Sequence, residues 1–192
     1  MCKVYVDLII LDMLLLLRNV ICWFFRYRQY GLWDRYTEIY PDVDLVFTIG
    51  LSNYQTDWFF AHLNRYFYND DGNKTYAPTT WQVLFDLEDV DQSSNYTLQL
   101  AFASAHEAEL QVRFNDPEID APHYSTGLIG KDNAIARHGI RGIYRLYTIN
   151  VPGSLLGFGT NIMYLKQSRG DRPFRGLMYD YIRLEGPSDE SD

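Results

Sequence analysis

Cysteine is nearly absent: the 192 residues hold two, Cys2 and Cys22, and none follows. The bulk of the chain therefore needs no disulfide framework and offers neither a thiol nucleophile nor a zinc thiolate set. Basic charge is also scarce. The net charge is −8, and residues 1–30 carry four basic and two acidic side chains, so residues 31–192 stand at −10. Nucleic-acid partners need clustered Lys and Arg, and this balance argues against them. An acidic surface gives no help in holding an anionic polymer either; uncharged sugar hydroxyls, or Ca2+ bridging, suit it better. No internal repeat, low-complexity segment or Gly-x-Ser-x-Gly nucleophile elbow is present.

A clean hydrophobic run is lacking too. Val4–Leu17 is strongly apolar but contains Asp7 and Asp12. A membrane-spanning helix needs about 20 apolar residues, and each buried carboxylate would be costly. As a secretory signal the segment has only Lys3 before Asp7 and no small-residue cleavage site before Arg18, Cys22 and Trp23. Residues 1–27 are therefore expected to lie outside the fold, as a non-native start left by truncation or a misplaced gene boundary, with weak membrane insertion or an uncleaved anchor as the alternative. The acidic tail, 188–192, is expected to be disordered. Asn73-Lys74-Thr75 and Asn95-Tyr96-Thr97 are glycosylation sequons compatible with secretion.

What the sequence does have is aromatic side chains, 16% of the total, with sixteen Tyr and four Trp. Large β-rich domains use such rings to fill a sandwich core, and surface rings can stack on sugars. From Trp81 onward the apolar period is two. Trp81, Val83, Phe85 and Leu87 form one set, Tyr96, Leu98, Leu100 and Phe102 the next, and Leu110, Val112 and Phe114 a third. Glu88–Asn95 and Ser104–Ala108 read as the separators, and Asn115-Asp116-Pro117 closes the third strand. Further strands are expected at Ile143–Asn150, Asn161–Gln167 and Met178–Glu185, with a long irregular loop over Glu118–Gly142. Upstream, Asp44–Gly50 reads as a strand with Leu45, Phe47 and Ile49 on one face. Asp57-Trp58-Phe59-Phe60 reads as a core anchor and Asn69–Asn73 as a turn. The pattern predicts an all-β antiparallel sandwich.

Several side chains could carry chemistry. His106 with Glu107 and Glu109 offers an acid–base pair, as does Lys131 with His138; polar surface roles are the plainer reading. For sugar binding the long loop supplies Lys131, Asn133, Arg137 and His138 as hydrogen-bonding groups and Tyr124 as a stacking ring. Loop anchoring is the alternative for the same residues. Trp33 and Trp58 read as core or interdomain contacts.

The strings Arg28-Gln29-Tyr30-Gly31-Leu32-Trp33-Asp34-Arg35-Tyr36, Asp57-Trp58-Phe59-Phe60-Ala61 and Thr80-Trp81-Gln82-Val83 resemble the last domain of family-4 polysaccharide lyases. So do Ala108-Glu109-Leu110-Gln111-Val112-Arg113, Gly130-Lys131-Asp132-Asn133, Ala136-Arg137-His138-Gly139 and Met178–Glu185. The likeness runs in order over residues 28–187. It implies a galactose-binding-like jelly roll, the carbohydrate-binding module that follows a catalytic β-sandwich and a fibronectin-type domain in plant rhamnogalacturonan lyases. Those enzymes cleave rhamnogalacturonan I by β-elimination with a Lys and a His of the first domain. Everything upstream of Arg28 departs from that pattern, so no catalytic residue carries over and no lyase activity is expected of this chain alone.

The resemblance further implies a structural Ca2+ on an acidic residue of the last strand. Asp180 fits, on the same face as Met178, Ile182 and Leu184, with Asp42 and Asp44 as possible co-ligands. The expected partner is a plant cell-wall polysaccharide, rhamnogalacturonan I or its side chains, and the expected location is extracellular, in the wall. The alternative is a packing module that contacts its neighbouring lyase domains and binds no sugar itself.

Overall fold

The computed structural model describes residues 5–10, 33, 35–132, 135 and 142–187. Thirteen strands are described, in two facing sheets and a hairpin. Strands β1 (Tyr5–Ile10), β3 (His62–Leu63), β7 (Asn95–Ala108), β10 (Ile129–Lys131), β11 (Arg145–Pro152) and β13 (Gly176–Glu185) form the first sheet. Its centre is the antiparallel pair β7–β13. Strands β11 and β10 follow one another along the free edge of β7, and β1 and β3 share the free edge of β13.

The second sheet runs β2 (Val46–Thr48), β6 (Thr79–Leu87), β12 (Gly159–Gln167), β8 (Leu110–Phe114) and β9 (Tyr124–Ser125). The hairpin pairs β4 (Arg65–Tyr68) with β5 (Lys74–Ala77). Two short helices, α1 (Arg35–Ile39) and α2 (Tyr54–Asp57), lie before it in sequence.

Alternation explains the layers. In β6, Trp81, Val83, Phe85 and Leu87 are buried while Gln82, Leu84 and Asp86 are not; in β7, Leu98 and Leu100 are buried and Gln99 is not. Successive side chains of a strand point to opposite faces, so one apolar set from each sheet meets in a single core. Part of it is a cluster of aromatic rings. Trp58 lies edge-on to Trp81 at 4.8 Å and to Tyr179 at 5.6 Å, linking the two sheets through rings. The anchor role read for Trp58 and Phe59 holds, since both are buried.

The structure departs from the sequence reading in five places. Tyr5–Ile10 belongs to the first sheet, pairing with β13 from Tyr5↔Glu185 to Ile10↔Tyr181, against the expectation that this segment stays outside the fold. Ser104–Ala108 is no separator, because β7 continues through it to pair with both β13 and β10. The loop expected over Glu118–Gly142 contains β9 and β10, one joined to each sheet. Strand β2 pairs with β6 in parallel, the one exception to antiparallel order among the described pairs.

The fifth concerns Asp180. Register shifts between Met178 and Tyr179 and between Tyr179 and Tyr181 break the alternation of β13. Tyr179 is buried, Asp180 and Tyr181 are half-buried, and Ile182 is buried again. A bulge puts one extra residue into a strand, so Asp180 leaves the inward face that strict alternation would give it. The acidic tail lies outside the described residues. No helix among the described residues is long and apolar enough to cross a membrane.

Candidate carbohydrate-binding site

The hairpin β4–β5 rests on the body of the domain through one face and presents rings on the other. Tyr66 opposes Tyr76 and Tyr68 opposes Lys74, so these four share a face; Arg65, Phe67, Thr75 and Ala77 share the opposite one. Arg65 is the anchor. Its Nη2 meets Asp44 Oδ1 at 2.6 Å and its Nε donates to the Tyr40 carbonyl at 2.9 Å. The Tyr66 amide adds a bond to Thr37 Oγ1 at 3.0 Å.

Asp44 is the hub of that anchor. Oδ1 also accepts from the Tyr36 hydroxyl at 3.1 Å, and Oδ2 accepts from the Thr80 amide at 2.6 Å. Tyr36 in turn accepts from Trp81 Nε1 at 2.8 Å. Burial first, and then the Asp44 charge, hold the Tyr36 hydroxyl far above its ordinary range, so it stays a donor.

Beyond the hairpin, the loop between β12 and β13 is latched by two buried amides. Gln167 Nε2 donates to Asn64 Oδ1 at 2.6 Å and to the Arg169 carbonyl at 2.8 Å, and Asn64 Nδ2 donates to the Arg172 carbonyl at 3.0 Å. Arg175, itself buried, closes the loop through Asp171 and Glu107. Held this way, Phe174 takes a left-handed backbone, φ 63°, which an aromatic residue adopts only when its surroundings enforce it. Its ring lies 4.0 Å from that of Trp33.

Trp33, Phe174, Tyr66, Tyr76, Leu63 and Asn64 line a small open hollow with room for about one water molecule. Lys74 Nζ stands 3.8 Å from the Tyr66 ring centroid and Tyr68 packs edge-on to Tyr66 at 5.8 Å, extending the platform outward. Trp33, read from sequence as a core or interdomain contact, is a half-buried wall of this hollow.

Of the residues expected to bind sugar, Lys131 and Tyr124 are described, and they sit on different sheets. Lys131 is exposed on β10, paired with His106 in the first sheet. Tyr124 is on β9, opposite Val112 in the second sheet, with its ring 6.1 Å from Tyr147; burial raises its hydroxyl above the ordinary tyrosine value. Asn133, Arg137 and His138 lie outside the described residues. The acid–base pairing read for His106 does not form: its Nδ1 meets the Asp132 carbonyl at 2.6 Å, while Glu107 holds Arg175 and Glu109 holds Ser125.

The expected metal ligands Asp42, Asp44 and Asp180 are all among the described residues. Both oxygens of Asp44 are taken by Arg65, Tyr36 and the Thr80 amide, and Asp42 is exposed in the turn before β2. Asp180 sits on its bulge near Tyr144. No group of three His, Cys, Asp or Glu that could hold a metal ion occurs among the described residues.

Solved structures similar to this chain include a family 35 carbohydrate-binding module from an environmental isolate, at 19% identity and TM-score 0.35, over 58% of this chain and 67% of that one. A carbohydrate-binding module of Cellvibrio mixtus lichenase 5A in complex with cellotriose matches at 10% identity and TM-score 0.32, over 66% and 88%. The cycloalternan-forming enzyme of Listeria monocytogenes matches at 18% identity and TM-score 0.35, over 66% of this chain but 11% of the enzyme. No curated protein matches the chain. The family model described as CBM-like, polysaccharide lyase family 4, domain III, matches residues 17–184, starting eleven positions before Arg28 and covering most of the sandwich. The chain belongs to polysaccharide lyase family 4, as a CBM-like domain III.

Proposed function

We propose that this domain binds a neutral or weakly charged glycan and that the ring cluster of Trp33, Phe174, Tyr66 and Tyr76 stacks against one of its sugar rings. The observation that carries this reading is the enforced left-handed backbone of Phe174 beside three further rings. Strain of that kind costs on the order of 1–3 kcal/mol and persists where surroundings over-determine it, often at ligand sites. The acidic charge of the domain favours uncharged hydroxyls over polyanions as the directly contacted groups. Family membership and the resemblance to rhamnogalacturonan lyases make rhamnogalacturonan I, or its neutral galactan side chains, the ligand we favour, met in the cell wall. Elimination chemistry would then belong to a catalytic domain of the same family, with this module holding the substrate.

Calorimetric titration with rhamnogalacturonan I and with galactan tests the reading. Trp33→Ala and Tyr76→Ala should each weaken binding at least tenfold while the fold persists, because Trp and Tyr dominate such contacts. A folded protein that binds neither polysaccharide would overturn it. The competing reading, in which the ring cluster seats a neighbouring lyase domain, draws on Trp33 lying just ahead of α1, at the approach to the sandwich. It gains if Trp33→Ala leaves glycan affinity intact but weakens association with those domains added separately.

A further inference from the structure

The latch that fixes Phe174 has a counterpart at the other end of the same strand. Along β12 the inward residues are Asn161, Met163, Leu165 and Gln167, all buried: an amide at each end and apolar side chains between. Gln167 holds the Phe174 loop. Asn161 holds Gly157-Phe158-Gly159, through bonds from its Nδ2 to the Gly157 carbonyl at 2.7 Å and the Gly159 carbonyl at 3.0 Å. Its Oδ1 accepts from the Gly157 amide at 2.8 Å and from Asn115 Nδ2 at 3.0 Å. Asn115 also donates to the Leu155 carbonyl at 2.9 Å and accepts from the Ile162 amide at 2.8 Å. Two backbones are left-handed here, Asn115 at φ 59° and Gly159 at φ 83°.

What this network holds in place is a Phe158 side chain that is 82% exposed. A floppy loop would explain an exposed phenylalanine without a role; a loop clamped by a buried asparagine does not. Rigid presentation removes the ordering cost that binding otherwise incurs. We propose that Phe158 is a second sugar-stacking platform, so that one glycan chain engages the domain at both ends of β12. This rests on the glycan-binding reading above. Phe158 and the Gln167 latch are nine residues apart, about 30 Å along an extended strand, so a short oligosaccharide fills one site and a polymer can reach both.

The surroundings favour a sugar over a protein. Protein interfaces deplete charge at their centres. Here Thr160, two residues beyond Phe158, is hydrogen-bonded to Asp86 at 2.7 Å, and Asn115 belongs to the network that holds the Phe158 loop, polar groups of a kind that can meet sugar hydroxyls.

The test compares Phe158→Ala, Phe158→Tyr and Trp33→Ala against galactan and rhamnogalacturonan I, each as polymer and as a tetrasaccharide. The two-site arrangement predicts that Phe158→Ala weakens polymer binding at least tenfold and leaves tetrasaccharide affinity within twofold, because linked sites act as an effective concentration. Phe158→Tyr should keep polymer binding, and thermal melts of all three should match the parent. Unchanged polymer binding in Phe158→Ala overturns the proposal and leaves the ring to a protein neighbour. A parent protein that binds none of the four probes overturns the glycan reading and this one together.

Discussion

His62 shows how a polar residue can be made a member of an apolar core. It is fully buried on β3, its ring stacked on Trp81 at 4.2 Å. Nε2 faces the Thr79 carbonyl at 3.2 Å, which can only accept, so Nε2 carries the proton; Nδ1 then accepts from the Tyr179 hydroxyl at 3.0 Å. Burial outweighs the Thr79 contact and lowers the imidazole from 6.5 to about 3. The folded state therefore keeps His62 neutral where the unfolded chain takes up a proton. The stabilisation is complete above pH 6.5 and is lost as pH falls from 6.5 towards 3, by up to about 1.4 kcal/mol per pH unit. Urea titrations at pH 7 and pH 5 should show a falling midpoint, and His62→Gln should flatten the fall. Equal slopes in both proteins would exclude His62 as its source.

Elements divide into those that alternation makes legible and those it cannot. Strands β6, β8 and β12 follow from alternating side chains bounded by turn residues. The end of β7 is hidden because Ser104, Ala105 and Ala108 are small and the strand is buried without a strong apolar period. Strand β10 is hidden for another reason. Its Gly130 has φ 82°, and a Cβ there would meet the Ala105 carbonyl oxygen at 2.0 Å, so contact with β7 relies on a residue that looks like a loop signal. Gly130→Ala should detach β10, seen as faster amide exchange over 126–132 and a lower melting temperature; an unchanged exchange pattern would refute that contact. The hollow is half legible. Arg65–Tyr68, the Asn69–Asn73 turn and Lys74–Ala77 form a hairpin signal, with Tyr66 and Tyr76 at cross-strand positions. Nothing local marks Phe174, whose placement depends on amides at Asn64 and Gln167 that are 103 residues apart. Asp44→Asn should loosen the hairpin by weakening the charged contact to Arg65 on the order of 1–3 kcal/mol, and a melting temperature equal to the parent's would discount that anchor.

For the whole molecule, net charge supplies a way to separate ligand classes. At −8 the domain repels polyanions, and salt screens that repulsion. Binding to the charged rhamnogalacturonan backbone should tighten from about 50 to about 300 mM NaCl as the Debye length shrinks, whereas binding to neutral galactan should stay within about twofold. A galactan affinity that falls steeply with salt would contradict stacking as the main contact. The pairing of Tyr5 with Glu185 has a mechanical consequence. Antiparallel neighbours whose outer ends coincide are loaded, when those two ends are pulled apart, across their ladder rather than along it. Hydrogen bonds loaded in that direction break in succession instead of sharing the force. Tension between these ends would therefore peel β1 from β13 like a zip at low force, starting at Tyr5, before the buried β7–β13 pair bears any load.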